Sequence, residues 1–281
     1  MKIALFPKIQ EEDSKKLARE VLNFLTSHKI EVLVEDDKAE ELGAPTLSSA
    51  DPKSIDTLIT MGGDGSILRV AHQYSHLDAA ILGINLGHLG FMADVKIADI
   101  IPGLENLVNN RFTVQERVMI EGESNSKHEF FAINDCVLHR ARNPSLVEIT
   151  IHVDDLFLNT FEADGVIIAT PNGSTAYSLA AGGPIVSPDI EAFIITPICP
   201  HTISNRPIVL TPSQNIRIEY KGYKDPIEFV TDGLEHFEMK AGDQIHLRKS
   251  PKKFKLVNLK GIDYFSTLRH KLGWSGKLRE S

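Results

Sequence analysis

The chain has 281 residues, of which 42% are hydrophobic and 24% are charged. This is the composition of a globular protein with enough apolar material for one large domain or two smaller ones, and it argues against a disordered chain. The formal net charge of −8 argues against non-specific binding to nucleic acid or to an anionic membrane, since such proteins usually present a basic face. A nucleotide ligand is compatible with this charge, because backbone N–H groups and a few cations can hold phosphates.

The cysteine content and the hydropathy pattern favour a cytoplasmic protein. The two cysteines, Cys136 and Cys199, form neither a disulfide framework nor a zinc-type motif, which fits a reducing compartment. The apolar run before Pro7 is too short for a signal peptide, and no run of about 18 apolar residues occurs that would predict a membrane span.

The chain up to Arg111 alternates short apolar runs with helical patterns, which predicts a parallel sheet with helices on its faces. The predicted strands are Ile3 to Phe6, Val32 to Val34, Leu58 to Thr60 and Ala80 to Ile84. One predicted helix carries Leu17, Val21, Phe24 and Leu25 behind a cap at Asp13 or Ser14, and a second carries Ile100, Leu104, Leu107 and Val108. The polar segment from Lys38 to Asp56 is predicted to be a mobile loop.

Beyond Arg111 short runs rich in Val, Ile, Phe and Thr follow one another closely, and ten of the 14 prolines lie between Pro144 and Pro251. Prolines at this spacing suit turns between strands, so a β-sandwich or a related all-β domain is predicted. The predicted strands are 118–121, 130–139, 146–153, 156–161, 166–170, 193–196, 216–220, 227–230, 244–247 and 255–259. The tail from Ser266 to Lys277 is predicted to be a short amphipathic helix.

These patterns together predict three segments. Residues 1–111 form an α/β nucleotide-binding domain, and residues 112–260 form a β-sandwich domain. Residues 261–281 form a helical tail, which we expect to pack on the first domain.

The strongest chemical signal is the turn Gly62-Gly63-Asp64-Gly65-Ser66, which lies between a predicted strand and a predicted helix. Glycines allow the backbone to approach a ligand closely, and the amino end of a helix favours phosphate. Asp64 repels phosphates, but it is useful if it accepts a proton from a hydroxyl nucleophile or holds Mg²⁺ between phosphates. The alternative interpretation is a tight turn in which Asp64 only caps the helix. The glycine-rich segment from Gly83 to Gly90 is a weaker signal, although the carboxyl end of a strand is where α/β sheets place ligands.

A second segment runs from a predicted buried strand into a turn of small hydroxyl residues, Ser174, Thr175 and Ser178, around Tyr177. The hydroxyls can bind a polar ligand, and a flat ring can lie on Tyr177. The alternative is a turn that caps a helix, with Tyr177 in the core.

The pair Asn134-Asp135 interrupts an apolar run. Adjacent residues of a strand point to opposite faces, so one of the two side chains can face a ligand. A β-bulge or a strand edge is the alternative.

These motifs, in this order and spacing, resemble those of the NAD kinases. The matching segments are Gly62-Gly63-Asp64-Gly65, Gly87-His88-Leu89-Gly90-Phe91, Asn134-Asp135, Asp164-Gly165, the run Thr170-Pro171-Asn172-Gly173-Ser174-Thr175-Ala176-Tyr177, and Phe265 to Trp274. The resemblance covers nearly the whole chain. GGDG alone is shared with diacylglycerol kinases and phosphofructokinases, whereas the run from Thr170 to Tyr177 is far more specific.

The resemblance implies transfer of the γ-phosphoryl group of ATP to the 2′-hydroxyl of the adenosine ribose of NAD, on a Rossmann-like domain followed by a β-sandwich domain that contributes to the NAD site. It implies that Asp64 is the proton acceptor and that the turn of Gly62, Gly63, Gly65 and Ser66 holds the ATP phosphates. The implied NAD-site residues are Asp64, Gly65, Arg69, Phe91, Asn134, Asp135, Asp164, Thr175, Ala176, Tyr177 and Ser178. It also implies a homo-oligomer, a dimer or a tetramer.

No acidic cluster resembles a dedicated Mg²⁺ cage, so we expect the ion to arrive with ATP rather than at a metal site of the protein. Three positions depart from the family pattern. Ser66 replaces a commoner threonine, Glu162 stands where many relatives have a basic residue, and Leu234 stands where some have glutamine. The Glu162 difference bears on the choice between NAD and NADH. Two other functions are compatible with parts of the pattern: a GGDG kinase acting on a lipid or a sugar phosphate, and a non-catalytic NAD(P)-binding sensor.

Overall fold

The computed structural model describes residues 1–9, 11–87, 90–93, 95–222, 225–259 and 263–274. The chain divides into two compact units. Unit 1 comprises Met1–Glu116 and the chain from Lys255 onward, and unit 2 comprises Arg117–Phe254. The divisions fall inside two long strands, so that residues 112–116 of one and 255–259 of the other belong to unit 1.

The elements in chain order are as follows. The strands are β1 (Lys2–Phe6), β2 (Glu31–Val34), β3 (Thr57–Met61), β4 (Ala80–Asn85), β5 (Val95–Lys96), β6 (Phe112–Ser124), β7 (Glu129–Ala132), β8 (Asp135–His139), β9 (Val147–Val153), β10 (Leu156–Ala163), β11 (Gly165–Ala169), β12 (Phe193–Ile198), β13 (Ile208–Leu210), β14 (Ile216–Tyr220), β15 (Ile227–Thr231), β16 (Glu235–Met239) and β17 (Gln244–Leu259). The α-helices are α1 (Glu12–Ser27), α2 (Asp36–Leu42), α3 (Asp64–Gln73), α4 (Ile100–Val108), α5 (Tyr177–Ala180) and α6 (Tyr264–Leu272).

Unit 1 is built on a parallel sheet in the order β2-β1-β3-β4, with β5 and the end of β17 parallel to β4. The four predicted strands of this part are all present. Strands β1, β3 and β4 are buried along nearly their whole length, as continuous apolar runs in a parallel sheet should be. Their side chains form one core with α1 and α4, in which Leu5, Val21 and Leu104 are all buried.

Two predictions for the first part of the chain are wrong. Helix α1 begins at Glu12, and its N-cap residue is Glu11, whose side chain makes no capping hydrogen bond. Neither Asp13 nor Ser14 is therefore the cap. The segment Lys38 to Asp56 is not a single loop, because it contains most of α2 and the 3₁₀ turns Leu47–Ser49 and Pro52–Ser54. The backbone N–H of Ser48 donates to Asp36 Oδ1 (3.0 Å), which ties the first of these turns to α2.

Unit 2 contains two antiparallel sheets. One has the order β10-β9-β14-β17, with β6 paired to β17 and to β7. The other has the order β13-β12-β11-β8-β15-β16. A single hydrophobic cluster takes side chains from both sheets, among them Ile149 and Ile218 from the first and Ile168 and Phe229 from the second.

The strand pattern of the second half of the chain differs from the prediction in three respects. The run 130–139 forms two strands, β7 and β8, because the backbone N–H groups of Ile133 and Asn134 donate to the carboxylate of Asp232 (2.7 Å each). The runs 244–247 and 255–259 belong to one long strand, β17, which carries Pro251 at an exposed position. Strands β13 and β16 were not predicted, since their sequences are short or mostly exposed.

The tail helix α6 begins at Tyr264, where Asp263 caps it by accepting the N–H groups of Phe265 (2.8 Å) and Ser266 (3.1 Å). It ends at Leu272, and residues 275–277 of the predicted helix lie outside the described residues. No helix in the described ranges combines the length and the apolar character needed to cross a membrane.

Candidate functional site

The glycine turn joins the buried strand β3 to α3. Gly62 has φ +153°, and a Cβ atom there would lie 2.2 Å from Ser66 Oγ, so this position requires glycine. Helix α3 begins at Asp64, and the residue at its N-terminal cap is Gly63, which makes no side-chain bond. The interpretation of Asp64 as a mere helix cap is therefore wrong.

The carboxylate of Asp64 accepts three consecutive backbone N–H groups from the segment after β4. Oδ2 accepts from Phe91 (2.8 Å), and Oδ1 accepts from Met92 (3.0 Å) and Ala93 (2.9 Å). A carboxylate has about four acceptor positions, so among the donors of the described residues one position on Oδ2 is not used. The contacts hold the side chain in a single orientation.

Gly90 makes this arrangement sterically possible. A Cβ atom at this position would lie 1.9 Å from Asp64 Oδ1 and 2.6 Å from Cγ. Any residue larger than glycine at position 90 would therefore displace the carboxylate of Asp64. The sequence placed Gly90 in a motif without assigning it a role, and the neighbouring His88 and Leu89 of that motif lie outside the described residues.

Phe91 lies beside the tail helix within unit 1. Its ring centroid is 6.2 Å from that of Tyr264, and Lys271 Nζ is 5.4 Å from the Phe91 centroid, a cation–π distance. The structure thus brings Phe91 and the glycine turn together through Asp64.

The guanidinium of Arg69 bonds to Glu35 and Gln73, which lie outside the glycine turn. Its Nη1 donates to Glu35 Oε1 (3.1 Å) and to Gln73 Oε1 (3.3 Å). Glu35 is buried and also accepts from Lys38 and from the hydroxyl of Tyr74 (3.4 Å). Burial, and next the charge of Glu35, raise the pKa of Tyr74 to about 12. These side chains line a cavity of about 630 Å³ in unit 1.

In unit 2 a second aspartate carboxylate holds three consecutive N–H groups. Asp232 Oδ2 accepts from Ile133 (2.7 Å), and Oδ1 accepts from Asn134 (2.7 Å) and Asp135 (3.0 Å). Asp232 itself has a positive φ of 50°, in the left-handed region. The predicted pair Asn134-Asp135 is therefore placed by a residue almost 100 positions away, which sequence reasoning missed.

Asp135 is 5% exposed. Burial, and next the negative charge of Asp232, raise the pKa of Asp135 to about 7, although its carboxylate accepts the backbone N–H of Tyr177. That N–H contact brings Asp135 to the start of α5. The side chain can therefore donate or accept a proton near neutral pH.

Asn134 connects to the hydroxyl-rich segment through Asn172. Asn172 Nδ2 donates to Asn134 Oδ1 (2.6 Å), and Asn172 Oδ1 accepts from the guanidinium of Arg117. Thr175 Oγ1 donates to the backbone carbonyl of Asn172 (3.1 Å). The structure thus joins Asn134, Asp135 and the segment before α5 into one polar cluster.

The hydroxyl segment itself forms the 3₁₀ turn Gly173–Thr175 followed by α5. Ser174 Oγ donates to Pro171 O (2.6 Å), and Ser178 Oγ bonds to Thr196 Oγ1 (2.9 Å), so these two hydroxyls are committed to the fold. Tyr177 is 47% exposed, which rules out the alternative that it is a core side chain. Ala176, just before it, is half-buried.

Asp164 lies apart from this cluster. It precedes β11, in which Gly165 pairs with His139 whereas Ala169 pairs with Asp135. At about 3.3 Å per residue, Asp164 lies roughly 16 Å along the strand from the Asp135 end. Its Oδ1 accepts from Arg140 Nε (2.9 Å). The departures Glu162 and Leu234 are both exposed.

Within the described ranges no group of three or more His, Cys, Asp or Glu side chains is placed to hold a metal ion. Asp64 already accepts three backbone N–H groups, so it offers at most a single oxygen position, whereas a resident Mg²⁺ requires several oxygen ligands.

Comparison with known families identifies the family of the chain. Residues 3–112 match the model of the ATP-NAD kinase N-terminal domain, and residues 133–259 match that of the ATP-NAD kinase C-terminal domain. The chain belongs to the ATP-NAD kinase family. This confirms the resemblance found in the sequence motifs. In the present chain the contacts around Asp64 and Asp135 join residues of those motifs.

Individual relatives agree with the family assignment. An NAD kinase of Protochlamydia amoebophila is 50% identical over 277 residues, which cover 99% of this chain and 99% of the relative. An NAD kinase of Syntrophotalea carbinolica is 35% identical over 280 residues, which cover 97% of this chain and 98% of the relative. Among solved structures, yeast NADH kinase complexed with NADH has a TM-score of 0.87 at 27% identity, covering 100% of this chain and 89% of that one. An NAD kinase from Archaeoglobus fulgidus in complex with ATP has a TM-score of 0.77 at 25% identity, covering 97% of this chain and 99% of that one. A two-domain layout with sheets in both parts is common to this family and to the present chain.

Proposed function

We propose that this protein is an NAD kinase, which transfers the γ-phosphoryl group of ATP to the 2′-hydroxyl of the adenosine ribose of NAD. Family membership across 3–112 and 133–259 supports this activity. The observation that carries the mechanism is the Asp64 carboxylate, which three backbone N–H groups hold in one orientation. No donor in the described part of the chain takes the second acceptor position of its Oδ2.

Asp64 is the proposed proton acceptor. In the reaction the ribose 2′-oxygen forms a bond to the γ-phosphorus, and the bond from that phosphorus to the β–γ bridging oxygen breaks, so that ADP leaves with the electron pair. The proton of the 2′-hydroxyl goes to Asp64 Oδ2. Because the transition state is loose, positioning of the hydroxyl contributes as much as proton removal, and the expected general-base factor is roughly 10²–10⁴.

The proposed ATP contacts are the backbone of Gly62, Gly63 and Gly65 and the hydroxyl of Ser66, at the amino end of α3. Backbone N–H groups and the helix dipole favour phosphate at this place. The donor substrate is ATP with its Mg²⁺, and the ion is held by phosphate oxygens and water.

In unit 2 the proposed NAD contacts are Asn134, Asp135 and the segment Thr175, Ala176, Tyr177 and Ser178. The exposed face of Tyr177 offers a surface for a flat ring, and the polar groups of Asn134 and Asp135 suit ring nitrogens and ribose hydroxyls. Ser178 has weaker support as a direct contact, because its hydroxyl bonds to Thr196.

Unit 1 contributes Asp64, Gly65 and Phe91 to the proposed NAD contacts. A contact from Arg69 has less support, because Glu35 and Gln73 engage its guanidinium. Asp164 is proposed to bind a part of NAD remote from Asp135, given its place at the other end of β11.

Further features of the proposal concern architecture and assembly. The parallel sheet of unit 1 supports a Rossmann-like description, and the shared core of the two sheets of unit 2 supports a β-sandwich. A homo-oligomer, dimer or tetramer, is supported by exposed Leu156 and Phe157 on β10, a strand at the end of its sheet. The two free thiols suit the reducing cytoplasm.

The test is an assay of the purified chain with NAD, ATP and Mg²⁺, in which NADP⁺ is measured through an NADP-specific dehydrogenase. Formation of NADP⁺ supports the proposal. A parallel panel of lipid and sugar-phosphate acceptors tests the other GGDG kinases, and NAD binding without turnover would instead indicate a sensor. Absence of NADP⁺ from folded protein that binds both substrates would contradict the proposed activity.

A further inference from the structure

Asn85 is a buried polar residue at the carboxyl end of β4, next to the glycine turn. It is the last residue of β4 and is 3% exposed. The backbone N–H of Gly62, in the glycine turn, donates to the carbonyl oxygen of Ile84 (2.8 Å), so the turn is bonded to the end of this strand. A buried amide side chain is expected to have hydrogen-bond partners, and those of Asn85 indicate its task.

The side-chain amide of Asn85 bonds to the segment that follows β4 at two places. Its Oδ1 accepts the backbone N–H of Gly87 (2.8 Å), and its Nδ2 donates to the backbone carbonyl of Ala93 (3.2 Å). The first contact is the kind by which an asparagine side chain supports a turn two residues further on. The second joins residues that are eight positions apart, so one side chain ties the end of this segment back to the strand.

Ala93 links Asn85 to the carboxylate of Asp64. The carbonyl of Ala93 accepts from Asn85, and the N–H of Ala93 donates to Asp64 Oδ1 (2.9 Å). Ala93 is fully buried, and a Cβ atom at Gly83 would lie 2.8 Å from its Cα, so Ala93 packs directly on β4. The orientation of the Asp64 carboxylate therefore depends on Asn85 through a single intervening residue.

The other end of the segment is supported by the tail helix. Phe91 donates its N–H to Asp64 Oδ2. Its ring lies near Tyr264 and Lys271 of α6. The donors to Asp64 are thus held by α6 at one end and by Asn85 at the other, so loss of the Asn85 contact should shift the carboxylate without releasing it.

We propose that Asn85 is a positioning residue for the phosphoryl transfer, because it holds the segment 91–93 that orients the Asp64 carboxylate. The proposal rests on the proposed kinase function and on Asp64 as its proton acceptor. Asn85 is buried, so it acts through Asp64 rather than on a substrate. A misplacement of about 1 Å at a reacting group can cost roughly 10²-fold in rate, and a shift that α6 limits should cost less.

The substitution Asn85→Ser tests this role in the full-length protein. The serine hydroxyl can still accept the N–H of Gly87, as serine does in such turns, but it is one bond shorter than the amide and loses the contact to Ala93. The kcat for NADP⁺ formation should fall roughly tenfold, while the KM values for NAD and ATP stay within about twofold. Hydrogen–deuterium exchange of the peptide that contains 91–93 should become faster.

The matched control is Asn109→Ser, at the end of α4 in the same unit. This substitution also removes a bond from an asparagine amide to a backbone carbonyl, that of Glu105 (2.7 Å). It should leave kcat, both KM values and the exchange of 91–93 unchanged.

A double variant distinguishes positioning from a general structural role. If Asn85 acts through Asp64, then Asn85→Ser should lower kcat by less than about twofold when Asp64 is already replaced by asparagine. A substitution that only loosens the fold should instead lower kcat by the same factor in both backgrounds.

The possible results separate this inference from the proposed function. The inference alone is overturned if folded Asn85→Ser keeps kcat within about twofold of the parent, if the loss falls on KM, if the exchange of 91–93 is unchanged, or if the loss of kcat is equal in both backgrounds. A parent chain that forms no NADP⁺ overturns the kinase assignment and the positioning role with it. If Asn85→Ser does not fold, Asn85→Thr, which carries the same hydroxyl and suits a strand, is measured against the same criteria.

Discussion

Replacement of Asp135 by asparagine should stabilise the ligand-free protein above neutral pH. Asp135 is buried beside Asp232, and its pKa in the folded protein is about 7 instead of the ordinary 3.8. Asparagine has the same shape and keeps a carbonyl oxygen that can accept the N–H of Tyr177, but it carries no charge to bury. The substitution therefore removes the cost of ionising a carboxyl group in this position.

The pH at which the effect appears follows from the direction of the shift. Between about pH 4 and pH 7 the folded protein binds the proton that the unfolded chain has released, so the free energy of unfolding falls as the pH rises through this window. The folded and ordinary pKa values differ by about 3, and each pKa unit corresponds to about 1.36 kcal/mol. The free energy of unfolding of the parent is therefore lower by about 4 kcal/mol above pH 7 than below pH 4. Below about pH 4 the parent carboxyl is protonated, and the two proteins should be equally stable.

The assay is urea unfolding followed by circular dichroism, at several pH values from about 4.5 to 8.5. The stability advantage of Asp135→Asn should grow with pH and level off above about pH 7. Asp189→Asn, at an exposed position of the same unit, is the control and should show no such trend. An advantage that is constant across the range, or a variant that is less stable at pH 8.5, would refute the assignment of a buried, raised-pKa carboxyl to Asp135.

Three further predictions concern the proposed site. Gly90→Ala should displace the Asp64 carboxylate and lower kcat roughly 10²-fold. Gly87→Ala should not, because a Cβ there meets no atom of the described residues within 4 Å, and equal activities of the two variants in a steady-state assay would contradict this. Tyr177→Ala should raise the KM for NAD several-fold with little effect on kcat, and a fall in kcat alone would count against a ring contact. Glu162→Arg should change the KM for NAD or NADH more than kcat, and an unchanged KM for both would remove Glu162 from the site.

The elements that the sequence predicts well are those whose local pattern and burial agree. Strands β1, β3 and β4 are continuous apolar runs, and the parallel sheet buries them on both faces. Helix α2 was missed because only two of its seven residues, Ala39 and Leu42, are buried, so its sequence has the polar character of a loop. The break between β7 and β8 depends on the distant Asp232, which no local pattern around Asn134 reveals.

The sequence predicts which motifs belong to the candidate site, but it does not predict the contacts that their residues make. Asp64 stands out in the sequence as a carboxylate in a turn suited to phosphate, yet its three N–H donors come from a segment 27 to 29 positions further on. The cavity around Glu35 joins this residue to Arg69, 34 positions away, and an isolated glutamate after a strand carries no signal by itself. Such contacts depend on the packing of the elements, which hydrophobic periodicity does not specify.

The most direct test of the proposed mechanism is the turnover of Asp64→Asn, measured together with its affinity for NAD. Asparagine keeps the size and one acceptor oxygen of the side chain but loses the charge and the capacity to take a proton. Its amide nitrogen cannot accept an N–H of the segment 91–93, so a loss of stability of about 1–2 kcal/mol is expected as well. If Asp64 is the proton acceptor, kcat should fall roughly 10²-fold or more while NAD still binds to the folded variant. A folded variant that binds NAD and retains activity within about tenfold of the parent would contradict the catalytic role of Asp64.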